Sequence, residues 1–89
     1  SPSPFRDVAR VSFDLPRVSQ VRITVYDVAG REVARLADGV LEPGRHDRTW
    51  DASGRSGRVE PGVYFVRLEA HSVTESGGLN TVRKVVRTR

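Results

Sequence analysis

Between residues 21 and 26, apolar Val21, Ile23 and Val25 alternate with Arg22, Thr24 and Tyr26. This is the period-two pattern of a strand with one buried and one wetted face. Asp27-Val28-Ala29-Gly30 follows at once. Its aspartate suits the first position of a turn, because the carboxylate can accept hydrogen bonds from the amides that follow. Its glycine tolerates the positive φ needed where a return strand begins. The apolar signal resumes at Val33 and Leu36. Residues 21–36 are therefore expected to form a hairpin with a bulge at Gly30, around which the other elements pair or pack.

The same alternation recurs along the chain. Ala9, Val11, Phe13 and Leu15 predict a strand over residues 8–15, ended by Pro16, and Tyr64, Val66, Leu68 and Ala70 predict a second long core strand. Tyr64, Val66 and Leu68 are expected to be buried against Val21, Ile23 and Val25. Ala37-Asp38-Gly39 reads as a turn, with Val40-Leu41 beyond it as a short strand or a cover for the core. Glu42-Pro43-Gly44 and Glu60-Pro61-Gly62 read as turns with proline second and glycine third. The strand over residues 45–50 places Arg48 on the same face as His46 and Trp50, so that arginine lies at a sheet edge or reaches out to water. Residues 51–59 and 71–78 are rich in small and turn-forming side chains and are expected to be exposed loops. A closing strand over residues 81–88 buries either Val85 or Val82 and Val86. Repeated short strands without a helical period indicate an all-β fold, an antiparallel immunoglobulin-like β-sandwich of six to seven strands, with a partly closed barrel as the alternative. Residues 1–7, beginning Ser1-Pro2-Ser3-Pro4, read as the remnant of a proline-stiffened linker leading into a sandwich over residues 8–89.

With 89 residues, the chain makes one domain that buries only about 60 to 65% of its unfolded surface. It has no cysteine, which excludes disulfides, thiolate zinc sites and cysteine nucleophiles. No apolar run approaches the ~20 residues that span a bilayer as a helix. The net charge of +4 and pI near 10.6 raise the possibility of nucleic acid. Yet the 15 basic residues are spread among 11 carboxylates, the pattern of a solvated surface and not of a phosphate-binding block. The exception is the end of the chain, where Arg83, Lys84, Arg87 and Arg89 crowd together.

Reactive chemistry is poorly represented. His46 adjoins Asp47, but neighbouring residues of a strand point to opposite faces, so the pair cannot act as base and orienting acid. Asp51-Ala52-Ser53-Gly54-Arg55 lacks the alternating carboxylates of a calcium loop. Gly54 and Gly57 do not join a strand to a helix, as a phosphate-cradling loop requires. Trp50 suits core filling better than a sugar-stacking platform, being the largest apolar group of a small domain. No enzyme activity, metal or cofactor is expected.

Six segments carry a resemblance: Pro2-Ser3-Pro4-Phe5, VSFDLP from Val11, VYDVAGREV from Val25, PGRHDRTWD from Pro43, PGVYFVRL from Pro61 and VRKVV from Val82. In this order they resemble the carboxy-terminal sorting domain of type IX secretion cargo. They are also similar to the Ig-like domain of flagellar hook-capping, FlgD-like proteins. The sorting resemblance implies a non-catalytic carboxy-terminal module of a secreted or cell-surface bacterial protein, a monomer that follows an upstream cargo domain. Its partners would be an outer-membrane translocon and a processing peptidase. Recognition would fall on Pro2 and Pro4, on Gly30 and Val33, on Gly62 and Tyr64, and on Lys84. The hook-capping resemblance implies instead an accessory Ig-like spacer or assembly domain, and a carbohydrate-binding module is the third reading. Arg48 stands where the sorting family is usually apolar, and five residues follow Lys84.

Overall fold

The computed structural model describes residues 3–5, 8–54, 57–74 and 76–88. Among them run nine strands: β1 (Ser3–Phe5), β2 (Ala9–Leu15), β3 (Ser19–Tyr26), β4 (Glu32–Leu41), β5 (Gly44–Trp50), β6 (Ser53–Gly54), β7 (Gly57–Arg58), β8 (Gly62–Ser72) and β9 (Gly78–Arg87). Five pair in the order β1-β9-β8-β3-β4, and β2 pairs with β5 as the facing layer. The result is an Ig-like β-sandwich. It is mixed and not wholly antiparallel, because β1 runs parallel to β9. The proline-rich start, read as linker, thus supplies a strand of the sheet.

The core is the set of alternate side chains from both layers. Ala9, Val11, Phe13, Leu15 and Trp50 come from the β2–β5 layer, and Val21, Ile23, Val25, Tyr64, Val66, Leu68, Ala70 and Val85 from the larger sheet. Ile23 pairs with Leu68 and Val25 with Val66. The two clean alternating strands therefore lie side by side on one face, and it is β2 that packs over them. The strand at the centre of the sheet is β8, not the β3–β4 hairpin, since β4 is an edge. In β9 it is Val85 that turns inward, while Val82 is 57% exposed.

Two expectations about β4 and its neighbours are corrected. Ala37-Asp38-Gly39 makes no turn; these residues continue β4, paired with Ile23, Arg22 and Val21. The expected bulge at Gly30 is present, with φ of +84°, the Gly30 amide donating to the Asp27 carbonyl and the Asp27 amide to the Arg31 carbonyl. The β3–β4 register shifts twice more, between Ile23 and Thr24 and between Val25 and Tyr26. The residues left over on β4 are Leu36 and Val33, both partly buried against the core. An odd spacing would send these two side chains to opposite faces of a regular strand, and each bulge resets the alternation. Residues 51–59 are not simply an exposed loop either: β6 and β7 form a small hairpin, and Ala52 beneath it is fully buried with φ of +63°.

Thr24, read as facing water, is buried on the outer side of the sheet, flanked in register by Arg35 and Arg67. Long arginine stems at both neighbouring positions can screen a short hydroxyl side chain from solvent.

Candidate functional site

Of the expected recognition residues, Pro4, Gly30, Val33, Gly62 and Tyr64 lie toward one pole, where β3 and β9 end and β8 begins, whereas Leu15-Pro16 and Pro43-Gly44 of the resembling segments lie at the other. The pole is built around Trp50, which is 1% exposed. Its ring lies 5.5 Å from that of Phe5 and 5.2 Å, edge-on, from that of Tyr64, and its Nε1 donates to the Ser53 carbonyl at 2.8 Å. Edge-to-face and tilted aromatic contacts of this kind add to plain area burial. A fully buried indole offers no stacking surface to a sugar, which removes the carbohydrate reading at this residue.

Each motif has a local structural job. Asp27 Oδ1 accepts from the amides of Ala29 and Arg31, both at 2.9 Å, and Oδ2 accepts from Arg31 Nε at 3.0 Å. Gly30 closes the turn with φ of +84°, its amide donating to the Asp27 carbonyl at 3.0 Å. A side chain there would be strained by its backbone angle alone. Val33, three residues on, is the bulged residue that reaches back to the core. Gly62 opens β8 with φ of +154°, and Tyr64, 8% exposed, donates its hydroxyl to the Glu60 carbonyl at 2.6 Å. The Gly-x-Tyr spacing thus folds the incoming turn onto the strand it precedes, as the tyrosine corner of Ig domains does. Burial pushes the Tyr64 phenol above its ordinary value, so the hydroxyl remains a donor throughout the physiological range. Replacing Tyr64 with phenylalanine should keep the ring contact with Trp50 and cost about 1 kcal/mol for the lost bond, read as a lower urea midpoint with unchanged slope.

Of the other expected site residues, Pro4 is exposed in β1 opposite Val86, and Lys84 is exposed in β9 opposite Phe65. Pro2 lies outside the described residues. Sequence reasoning missed Arg87, counted with the free basic cluster. Its Nη1 donates to the Val59 carbonyl at 2.6 Å, tying β9 to the segment after β7. It missed the role of Ser53 as well, since a backbone carbonyl bound to an indole leaves no mark in the sequence.

Elsewhere the chemistry is quiet. His46 stacks on Phe13 with ring centres 5.5 Å apart, and its Nε2 lies 2.7 Å from the Glu42 carbonyl. Asp47 turns to the other side and accepts from Ser12. That bond above all, assisted by the nearby Arg10 and Arg45, holds the Asp47 carboxyl below its ordinary range against the opposing effect of burial. Arg48 sits in β5, an edge strand, and donates to the Asp47 carbonyl at 2.8 Å. Among the described residues no three histidines, cysteines or carboxylates are placed to hold a metal ion, and no helix is long and apolar enough to cross a membrane.

The Asp27 turn makes a pH-dependent contribution. The Arg31 backbone amide is the largest cause of a carboxyl pKa below the ordinary 3.8, opposed by burial and assisted by the Arg31 guanidinium and the Ala29 amide. A depressed folded-state pKa means that the stabilisation is complete above the unfolded value and is lost as pH falls through the folded one. Asp27→Asn should therefore flatten the acid limb of stability below about pH 4 and leave its shape near neutrality unchanged, as measured by urea midpoints across pH.

Comparison with known proteins agrees with this architecture. The sequence model of the FlgD Ig-like domain family matches residues 3–73. Among solved structures, the crystal structure of FlgD from P. aeruginosa is similar, with a TM-score of 0.66 and 30% sequence identity over 88% of this chain. The chain spans 61% of that FlgD chain. No curated protein matches. Both similarities bear on the hook-capping branch, and neither bears on type IX sorting.

Proposed function

Because this chain belongs to the FlgD Ig-like domain family, we propose that it is a non-catalytic structural module of a larger protein, an Ig-like spacer that holds neighbouring segments at a set distance. The observation that carries this reading is the parallel pairing of β1 with β9, Ser3 with Val85, Pro4 with Val86 and Phe5 with Arg87. Thr88 extends it, donating its amide to the Phe5 carbonyl at 2.7 Å and its hydroxyl to the same oxygen at 3.1 Å. Tension drawn through the two chain ends would pull β1 backwards and β9 forwards along their common direction. All the bonds between them are then sheared together instead of being opened one after another. A domain 42 Å long and 21 Å across, filled by apolar side chains, suits that role better than it suits catalysis.

The spacer is preferred to the sorting signal because Gly30, Val33, Gly62 and Tyr64 are each consumed by the fold, in a turn, a bulge and a corner. Such positions have a reason to be these residues without any receptor.

The test uses mechanical loading. The chain has no cysteine, so paired cysteine handles are specific. Handles at Ser3→Cys and Thr88→Cys shear the β1–β9 ladder, whereas handles at Glu60→Cys and Thr88→Cys peel β8 from β9 at the Gly62–Arg87 end. Single-molecule unfolding is expected at a clearly higher force for the first pair. Equal or lower force for the first pair would overturn the spacer reading.

A further inference from the structure

β9 is paired with β8 from Gly78 to Arg87, but with β1 only from Val85 to Arg87. Along residues 78–84 its second edge has no strand beside it among the described residues. Because the Thr88 amide donates to Phe5, the even-numbered positions of this strand turn toward the β1 side. By alternation Asn80 and Val82 direct their amides and carbonyls into the open edge, and Lys84 its amide alone, because the Ser3–Val85 pairing engages the Lys84 carbonyl. Beside the edge runs a groove of about 410 Å³. Val66 and Leu68 of β8 form its floor, Val11 and Ser12 of β2 one wall, and Thr81 to Lys84 the other. β2 is itself paired on one side only, with β5. An apolar floor bordered by unpaired backbone groups is what an added strand requires.

Charge decides the occupant. Residues 78–84 carry two cations, Arg83 and Lys84, and no carboxylate, and neither cation has an ion-pair partner among the described residues. Arg83 is in register with buried Val66, so it projects on the core-facing side, at the mouth of the groove. Lys84 projects on the outer side, in register with Phe65. A second copy pairing edge to edge would bring four cations together with no carboxylate, the arrangement by which edge strands resist self-association. A partner strand with two adjacent carboxylates would convert the same charges into pairs on both faces.

We propose that the β9 edge captures an extended segment of a partner protein, one with apolar side chains at alternate positions followed by two adjacent acidic residues. The apolar side chains fill the groove over Leu68, and the carboxylates meet Arg83 and Lys84. This surface goes beyond the spacer reading and is independent of it, since mechanical loading reads β1 and peptide binding reads residues 78–84.

The probe is the peptide LTVTEET, with LTVTKKT as its charge-reversed control, titrated into the whole chain and followed by amide NMR shifts. LTVTEET is expected to bind with shifts centred on Asn80, Val82 and Lys84, at least about tenfold more tightly than LTVTKKT. Arg83→Glu should reverse the preference, and Lys84→Glu, at an exposed position, should reduce it if the first variant fails to fold. Val82→Pro, which removes an outward amide at a position where an edge tolerates proline, should abolish binding of both. Equal affinity for the two peptides, no binding at millimolar concentration, or shifts centred elsewhere would each overturn the proposal. So would self-association of the free chain through β9 that Val82→Pro removes.

Discussion

Trp50→Ala should cost about 3 to 5 kcal/mol, the range for deleting a buried tryptophan or phenylalanine ring. The reason lies in the number of connections that end on this side chain. Phe5 of β1, Tyr64 of β8 and the Ser53 carbonyl of β6 all contact it, so its loss opens a cavity where three separate segments meet. A domain of this size has about 5 to 15 kcal/mol in total, and the variant is expected to be largely unfolded in moderate urea. Far-UV circular dichroism is the suitable measurement, since the mutation removes the fluorophore. Trp50→Phe separates the two contributions: it keeps most of the apolar area and loses the indole donor, for an expected cost nearer 1 to 2 kcal/mol. A Trp50→Ala variant within about 1 kcal/mol of wild type would show that the pole is not organised as described.

Ile23→Ala is expected to cost about 2 to 5 kcal/mol. Ile23 is completely buried and stands between Leu68 of β8 and Ala37 of β4 beneath the β2 layer. Its surroundings are three paired strands, held by ladder bonds on both sides, so the site has little freedom to collapse into the space left behind. Val82→Ala is the control. Val82 lies on a strand of the same sheet but is 57% exposed, and its truncation should change stability by no more than about 0.5 kcal/mol. If the two variants were equally destabilised, the assignment of buried and open faces would be wrong.

These two results depend on features of different legibility. Ile23 can be placed in the core from the sequence alone, because Val21, Ile23 and Val25 repeat at period two with polar neighbours, and side-chain direction in a strand follows that period. The same holds for β2 and β8. The reactive residues are legible in the same way: adjacent His46 and Asp47 have to diverge on any strand, and they do. The turn at Asp27 and Gly30 is local chemistry, so its residues announce it.

What the sequence could not decide are the relations between distant segments. Ser3–Phe5 reads as linker because a three-residue strand with a proline has no period of its own; it is a strand only because β9 lies alongside to receive its hydrogen bonds. Ala37-Asp38-Gly39 has turn composition, yet β3 supplies a continuous partner and the segment stays extended. Val33 and Leu36 violate strand alternation, and both reach the core through bulges whose positions are set by pairing with β3. Arg87 is tied to Val59 across 28 residues, and among the described residues β1 pairs with β9 only over Val85 to Arg87. Periodicity and turn chemistry act over a few neighbouring residues and are written in the local sequence. Edges, bulges and long-range carbonyl contacts arise from which strand has a neighbour and where that neighbour ends, and only the assembled sheets determine that.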